Sequence, residues 1–242
     1  MSPDLDALEF ARIAQALRAA PTPAATAEEI VYYVRRQLDA SHAGLTLIRS
    51  RQRLETIAQT DPVVEQADRL QYELDEGPCR DSSWHRQTLI STNLAADPRW
   101  PRWAGKMCAL GVASVLAVEL TDVDDRRIGS INVYWTRPRQ FTADDVAFAN
   151  IFARHAALAL SRSLDEAGLN VALDSRKLIG QAQGILMERY ELDESRAFEV
   201  LRRYSQDHNV KLRQVAEHLI ATRQLPSSGG MSNRSRGTVA AD

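Results

Sequence analysis

The chain has 242 residues, room for one or two domains, and its 44% hydrophobic and 26% charged content is that of a globular protein. A net charge of −2 supplies no general basic field for nucleic acid, and no run reaches the about 18 apolar residues of a membrane-crossing helix. The charge is uneven, with a net −4 over 1–173 and a net +1 in each of 174–223 and 224–242, so any contact with a polyanion has to be local.

The opening MSPDLDALEF lacks the basic-then-apolar pattern of a signal peptide, which predicts a cytoplasmic location without membrane partners. Leu5–Ala19 reads as an amphipathic helix stopped by Pro21 and Pro23. Thr26 and Glu29 read as a capping box for a second helix to about Ala40, with Ile30, Val31, Val34 and Leu38 inward. Ala43–Ser50 and Arg53–Thr60 read as paired strands. Val63–Leu74 has helical spacing and ends before the Gly77-Pro78 turn. A short strand at Gln87–Thr92, a helix at Arg102–Leu110 closed by Gly111, and strong strands at Val112–Leu120 and Arg127–Trp135 follow. This order predicts an α+β domain over 1–141, an antiparallel sheet with helices.

A ligand in this domain would lie on the concave side of the sheet, closed by Tyr72–Ser83 and Ala95–Leu110. Cys79, Arg80, Trp84, Trp100, Trp103 and Cys108 fall there and are the candidate ligand-binding residues, although tryptophan clusters fill cores more often than they bind ligands. Cys79 and Cys108 have no zinc-like spacing. The five histidines, His42, His85, His155, His208 and His218, form no HExxH pattern, and GxSxG, Walker and GxGxxG motifs are missing, so the chain reads as no enzyme and no metalloprotein.

Thr142 with Asp145 forms another capping box, with Phe141 placed to staple onto Val146. No proline follows until Pro226, so Thr142–Tyr190 reads as one helix of about 70 Å. Phe148, Ile151, Phe152, His155, Leu158 and Ala159 form one stripe, continued more weakly by Leu169, Ala172, Leu173, Arg176 and Ile179. This predicts a parallel coiled-coil homodimer through 142–175 with a hinge at Gly168.

Three apolar stripes follow, each on a short helix: Leu178, Ile179, Ala182, Ile185 and Leu186; then Ala197, Phe198, Leu201, Tyr204 and Ser205, capped by Asp193; then Leu212, Val215, Ala216 and Leu219. Together they predict a three-helix bundle over 176–223. Opposite the first stripe lie Arg176, Gly180, Gln183 and Met187, with Gly184 beside them. A helical glycine costs about 1 kcal/mol relative to alanine. Such a face suits close approach by a backbone, a base or a helix, and these physical grounds leave nucleic-acid docking and helix packing equally open. The Ser/Gly-rich tail, 224–242, reads as disordered.

The stretch IGQAQGILMERYELDESRAFEVLRRYSQDHNVKLRQVA resembles the ANTAR domain, a three-helix RNA-binding output module of bacterial transcription antiterminators. The A-x-G-I-L-M, A-F-x-x-L-R and K-L-x-x-V-A blocks arrive in order, and the resemblance covers roughly 174–223. Gln183 stands where many members have lysine, which removes one phosphate-seeking cation. The N-terminal element order, the DEGPC turn and the SVLAVEL…GSINVYW hairpin resemble GAF domains, small-ligand sensors that often precede an output domain.

These resemblances imply a transcription antitermination regulator that acts in signal transduction. RNA would meet Ala182, Gln183, Gly184 and Met187, with Arg176, Arg202, Arg203, Lys211 and Arg213 as the cations. Its partners would be hairpin loops in leader transcripts, a second copy of the chain, and a small-molecule or nucleotide ligand in the sensor. The alternative is a DNA-binding helix-turn-helix regulator, since KLRQVAEHLI resembles half of that motif, but QLPSSGG follows it where a recognition helix would stand. A dimer that binds only protein is a third reading.

Overall fold

A computed structural model of the chain describes residues 7–49, 53–78, 81 and 88–225, with side chains from Phe10 onward. It divides into two compact units, Met1–Ala167 and Gly168–Asp242.

The first unit contains α1 (Ala7–Ala19), α2 (Pro23–Gln37), β1 (His42–Ile48), β2 (Leu54–Gln59), α3 (Pro62–Leu74), β3 (Leu89–Ser91), α4 (Pro101–Ala109), β4 (Ser114–Thr121) and β5 (Arg127–Trp135). The strands form one antiparallel sheet in the order β2-β1-β5-β4-β3. Alternation sends Leu45, Leu47, Leu116, Val118, Ile131, Val133 and Trp135 into one core with α2 and the start of the long helix that follows β5. Val115 and Tyr134 point the other way, into a second core with Val64, Trp103 and Met107 of α3 and α4. Cover on both faces explains why β4 and β5 are buried almost throughout. Two glycines permit close approach: a Cβ on Gly44 would collide with Val64, and one on Gly129 with the Thr46 carbonyl of the neighbouring strand.

The start of α2 corrects the sequence reading. Thr22, not Thr26, is the N-cap, accepting the Ala25 N–H at 3.1 Å. Pro23 suits the first helical position, where its missing N–H costs nothing. Thr26 is therefore a buried helical residue whose hydroxyl donates to the Thr22 carbonyl.

The helix after β5, α5, runs from Ala143 to Tyr190, unbroken at Gly168. Its start is a reciprocal box: the Asp145 N–H donates to Thr142 Oγ1 at 3.1 Å and the Thr142 N–H to Asp145 Oδ2 at 2.9 Å. Burial alone would raise the Asp145 pKa, but these bonds and the Arg139 guanidinium hold it below the usual carboxylate range. The buried stripe is rotated from the expected one. Phe148, Ala149, Phe152, Ala153, Ala156, Ala157 and Leu160 face the sheet, whereas Ile151 and Leu158 are at least half exposed. Small alanines let the helix approach the sheet closely, and that packing displaces the bulkier outer residues.

The second unit holds the end of α5 with α6 (Glu194–Asp207) and α7 (Leu212–Thr222). Ala182, Leu186, Ala197, Leu201, Val215, Ala216 and Leu219 form its core.

Candidate nucleic-acid interface and sensor cavity

Asp193 starts α6 as its N-cap, its carboxylate accepting the Arg196 N–H at 2.8 Å. Gln183 on α5 meets α6 there: its Nε2 donates to the Glu194 carbonyl at 3.1 Å. Ala182 is completely buried with Leu186 and Ala197, where its apolar stripe placed it, and this burial leaves it no surface for the RNA contact that the resemblance implied. Phe198 departs in the opposite sense. Its place in the sequence stripe puts it in the core, but it is 36% exposed, as is Met187. A Cβ on Gly180 or Gly184 would meet nothing within 4 Å, so among the described residues none fills the notch. Tyr190 is exposed, while Tyr204 is half-buried and stacks on His208 at 4.0 Å.

Arg176 and Lys211 form no ion pair with a described residue. Arg202 pairs with Glu199 at 2.5 Å, Arg203 with Asp207 at 3.6 Å and Arg213 with Glu217 at 2.8 Å. Surface pairs of this kind contribute about 0–1 kcal/mol, so a phosphate can replace the carboxylate at little cost.

In the first unit, Trp100 and Trp103 are buried and meet edge to face at 6.0 Å. The Trp100 Nε1 donates to Asp81 at 2.7 Å and the Trp103 Nε1 to the Ala67 carbonyl at 3.1 Å. Cys108 packs half-buried against the same core. These side chains fill the layer between sheet and α4. Cys79, Arg80 and Trp84 lie outside the described residues.

An open cavity of about 580 Å³ lies elsewhere, at the β2 edge of the sheet between Thr56, Glu28 and the α3 residues Glu65, Asp68, Arg69 and Tyr72. Sequence reading missed Asp68 at its floor. Asp68 accepts hydroxyl hydrogen bonds from Thr46, at 2.9 Å, and from Thr56, and an amide bond from Gln71 at 3.2 Å. Burial pushes its pKa from 3.8 to about 6, against the lowering effect of those bonds. The available signal was the stripe Val64, Ala67, Asp68 and Gln71, which carries polar residues inward at helical steps. Asn132 of β5 lies on the same side of the sheet as Tyr134. It is fully buried, and neither amide atom has a hydrogen-bond partner.

Among the described residues no three or more His, Cys, Asp or Glu gather as a metal site, and no helix is long and apolar enough to cross a membrane.

The two units thus pair a sheet-based sensor architecture with a small helical output module. The chain belongs to the GAF domain family, whose profile matches residues 20–161, and it carries an ANTAR domain at 167–220, the arrangement of a GAF–ANTAR regulator. The ANTAR match makes the output RNA-binding in kind, and both modules are regulatory. The fold is similar to the GAF domain of a phosphoenolpyruvate-protein phosphotransferase from Coxiella burnetii (TM-score 0.55, 13% identity, covering 66% of this chain and 94% of that one). It is also similar to the GAF domain of the corresponding protein from Acinetobacter (TM-score 0.52, 15% identity, 66% and 94%). A bacteriophytochrome from the photosynthetic bacterium R. palustris is similar over 81% of this chain and 47% of its own length (TM-score 0.53, 13% identity). At these identities the likeness is one of fold. No curated protein matches the chain significantly.

Proposed function

We propose that this protein is a cytoplasmic transcription antitermination regulator in which the GAF unit controls how two ANTAR units, brought together by dimerisation through 142–175, hold paired hairpin loops of a leader transcript. Held in this way, the loops keep the RNA from completing a terminator. The observation that carries the reading is the ANTAR match on a compact three-helix unit with an open glycine face on α5. Arg176, Gln183, Gly184 and Met187 supply that face, with Arg202, Arg203, Lys211 and Arg213 for phosphates.

Dimerisation is supported by Ile151 and Leu158, exposed at a seven-residue step on α5, and by exposed Leu169, Val171 and Leu173. An apolar groove of about 340 Å³ at Leu158 is lined also by Leu17 of α1 and by His155 and Ala159. Control by a small-molecule or nucleotide ligand is supported by the unpartnered Asn132 amide and by the Asp68 cavity. A ligand acts on the output only by favouring one of two arrangements of the connector.

The test is a mobility-shift titration of the full chain with a tandem-hairpin leader RNA and with matched duplex DNA, alongside sedimentation. Retention of RNA alone by a dimer supports the reading. Preference for duplex favours a helix-turn-helix regulator, and retention of neither favours a protein-interaction dimer. Reversing Arg202 and Arg203 together to Glu is expected to abolish hairpin binding with helicity unchanged.

A further inference from the structure

On the side of α5 turned away from the sheet, Ile151, Leu158 and Asp165 follow one another at seven-residue steps. Arg162 stands four residues after Leu158 and three before Asp165. At about 100° per residue these four share one side of the helix, roughly opposite Ala149, Ala156 and Leu160, which face the sheet. All four are exposed. His155, at the edge of the same side, is engaged within the chain: its ring meets Phe10 of α1 edge to face at 4.5 Å.

The two charges have weak or distant partners of their own. Arg162 Nε donates to Glu166 Oε1 at 2.8 Å, an exposed pair one helical turn apart that contributes little and exchanges readily. Arg18 of α1 lines the same groove, so Glu166 keeps a cation nearby when Arg162 turns outward. Asp165 forms no ion pair with a described residue and acts on Arg126 of the β4–β5 turn only at longer range.

We propose that Arg162 and Asp165 form a register-setting charge layer in a parallel dimer, Arg162 of each chain pairing with Asp165 of the second copy. The proposal deepens the dimer reading above and rests on it. Three residues rise about 4.5 Å along a helix, so in an in-register pair the two Arg162 occupy one layer and the two Asp165 the next, within side-chain reach. Either layer alone would set like charges together. Adjoining, the four charges cancel as two reciprocal pairs, which is the self-complementarity a two-fold interface requires. Sliding one helix by seven residues leaves one of the two pairs unmade. A polar layer of this kind gives up some stability of an apolar seam and fixes its alignment. It stands where the sheet's cover of α5 ends, since Leu160 is fully buried in the first core and Leu164 only partly.

The experiment is sedimentation of the full chain. Arg162→Glu and Asp165→Arg are each expected to weaken self-association of the wild-type dimer about ten-fold or more, because both pairs become like-charge contacts. The two variants mixed are expected to form a one-to-one heterodimer, in which both pairs attract again, and the double variant Arg162→Glu/Asp165→Arg is expected to dimerise as wild type does. Leu158→Cys is expected to give, under mild oxidation, a disulfide-linked dimer that wild type does not give, because a seam residue of a parallel pair faces its own copy. If wild type is a dimer and the single variants dimerise equally well, or if neither mixing nor the double exchange recovers what they lose, the charge layer is wrong and the dimer stands. A wild-type dimer whose Leu158→Cys variant gives no cross-link overturns the parallel seam. If wild type is a monomer, layer and dimer fall together.

Discussion

In the GAF unit the largest fully buried side chains include Trp100, Trp103, Tyr134 and Phe152, spread over cores on both faces of a five-stranded sheet. The ANTAR unit encloses Ala182, Leu186, Ala197, Leu201, Val215, Ala216 and Leu219, and leaves Met187, Tyr190 and Phe198 in water. A short helical unit has too much surface for its volume to hide every apolar side chain. It can place those left over where a ligand will cover them. The GAF unit has the opposite resource: a core large enough to contain polar groups such as Asp68 and Asn132 and still fold.

The sharpest way to break this contrast is Trp103→Ala. It removes a completely buried ring and its bond to the Ala67 carbonyl, and should cost the GAF unit about 3–5 kcal/mol. Denaturant unfolding followed by near-ultraviolet dichroism reads the sensor transition, and helicity reads the output. An equal loss in both transitions would show that the two units do not fold separately.

Next in size is the pH dependence set by Asp68. A rise from 3.8 to about 6 corresponds to about 3 kcal/mol between its two protonation states. The native protein keeps this proton up to about pH 6, while the unfolded chain releases it near 3.8. Between those values the native state binds more protons, so stability from this group falls as pH rises and is gone above about 6. Native carboxylates with lowered values, such as Asp145, act in the opposite direction. The difference between wild type and Asp68→Asn isolates the effect. The amide variant should gain on wild type as pH rises through that window, and a difference flat across it would show Asp68 to be solvated.

How much of this was legible beforehand follows the same division. The α+β order, the β4–β5 hairpin and the three-helix bundle could be read because each element repeats its own period over several turns or strands. The rotation of the α5 stripe could not, because Ala149, Ala153, Ala156 and Ala157 are weakly apolar and make the buried face by closeness rather than bulk. Thr26 misled because Thr-x-x-Glu is a local pattern, and Pro23 one turn earlier had already begun the helix. On the candidate interface, the glycines and Met187 declared themselves by being costly on a solvated face. Ala182 lies inside as its apolar stripe implied, and Phe198 lies outside because, about 100° from Ala197, it stands at the margin of its stripe, where packing decides whether it is covered.

The smallest effect tests the contrast from the side of the ANTAR unit. Asp193→Ala removes the N-cap of α6, whose carboxylate takes the Arg196 N–H at 2.8 Å, and should cost about 1 kcal/mol. In a unit this short that is a shift of several degrees, about 4–8 °C by the scaling of small domains, whereas the GAF transition should not move. Asp193→Asn should restore most of the loss, because an amide oxygen caps nearly as well. The consequence for RNA is indirect. Fraying at Glu194 loosens the carbonyl that Gln183 grips, and with it the hold of α6 on the Gln183 side of α5. Hairpin affinity should therefore fall with Asp193→Ala and recover with Asp193→Asn. If affinity stays constant while the melting temperature drops, the start of α6 has no part in binding, and the exposed Phe198 reflects only the unit's lack of interior volume.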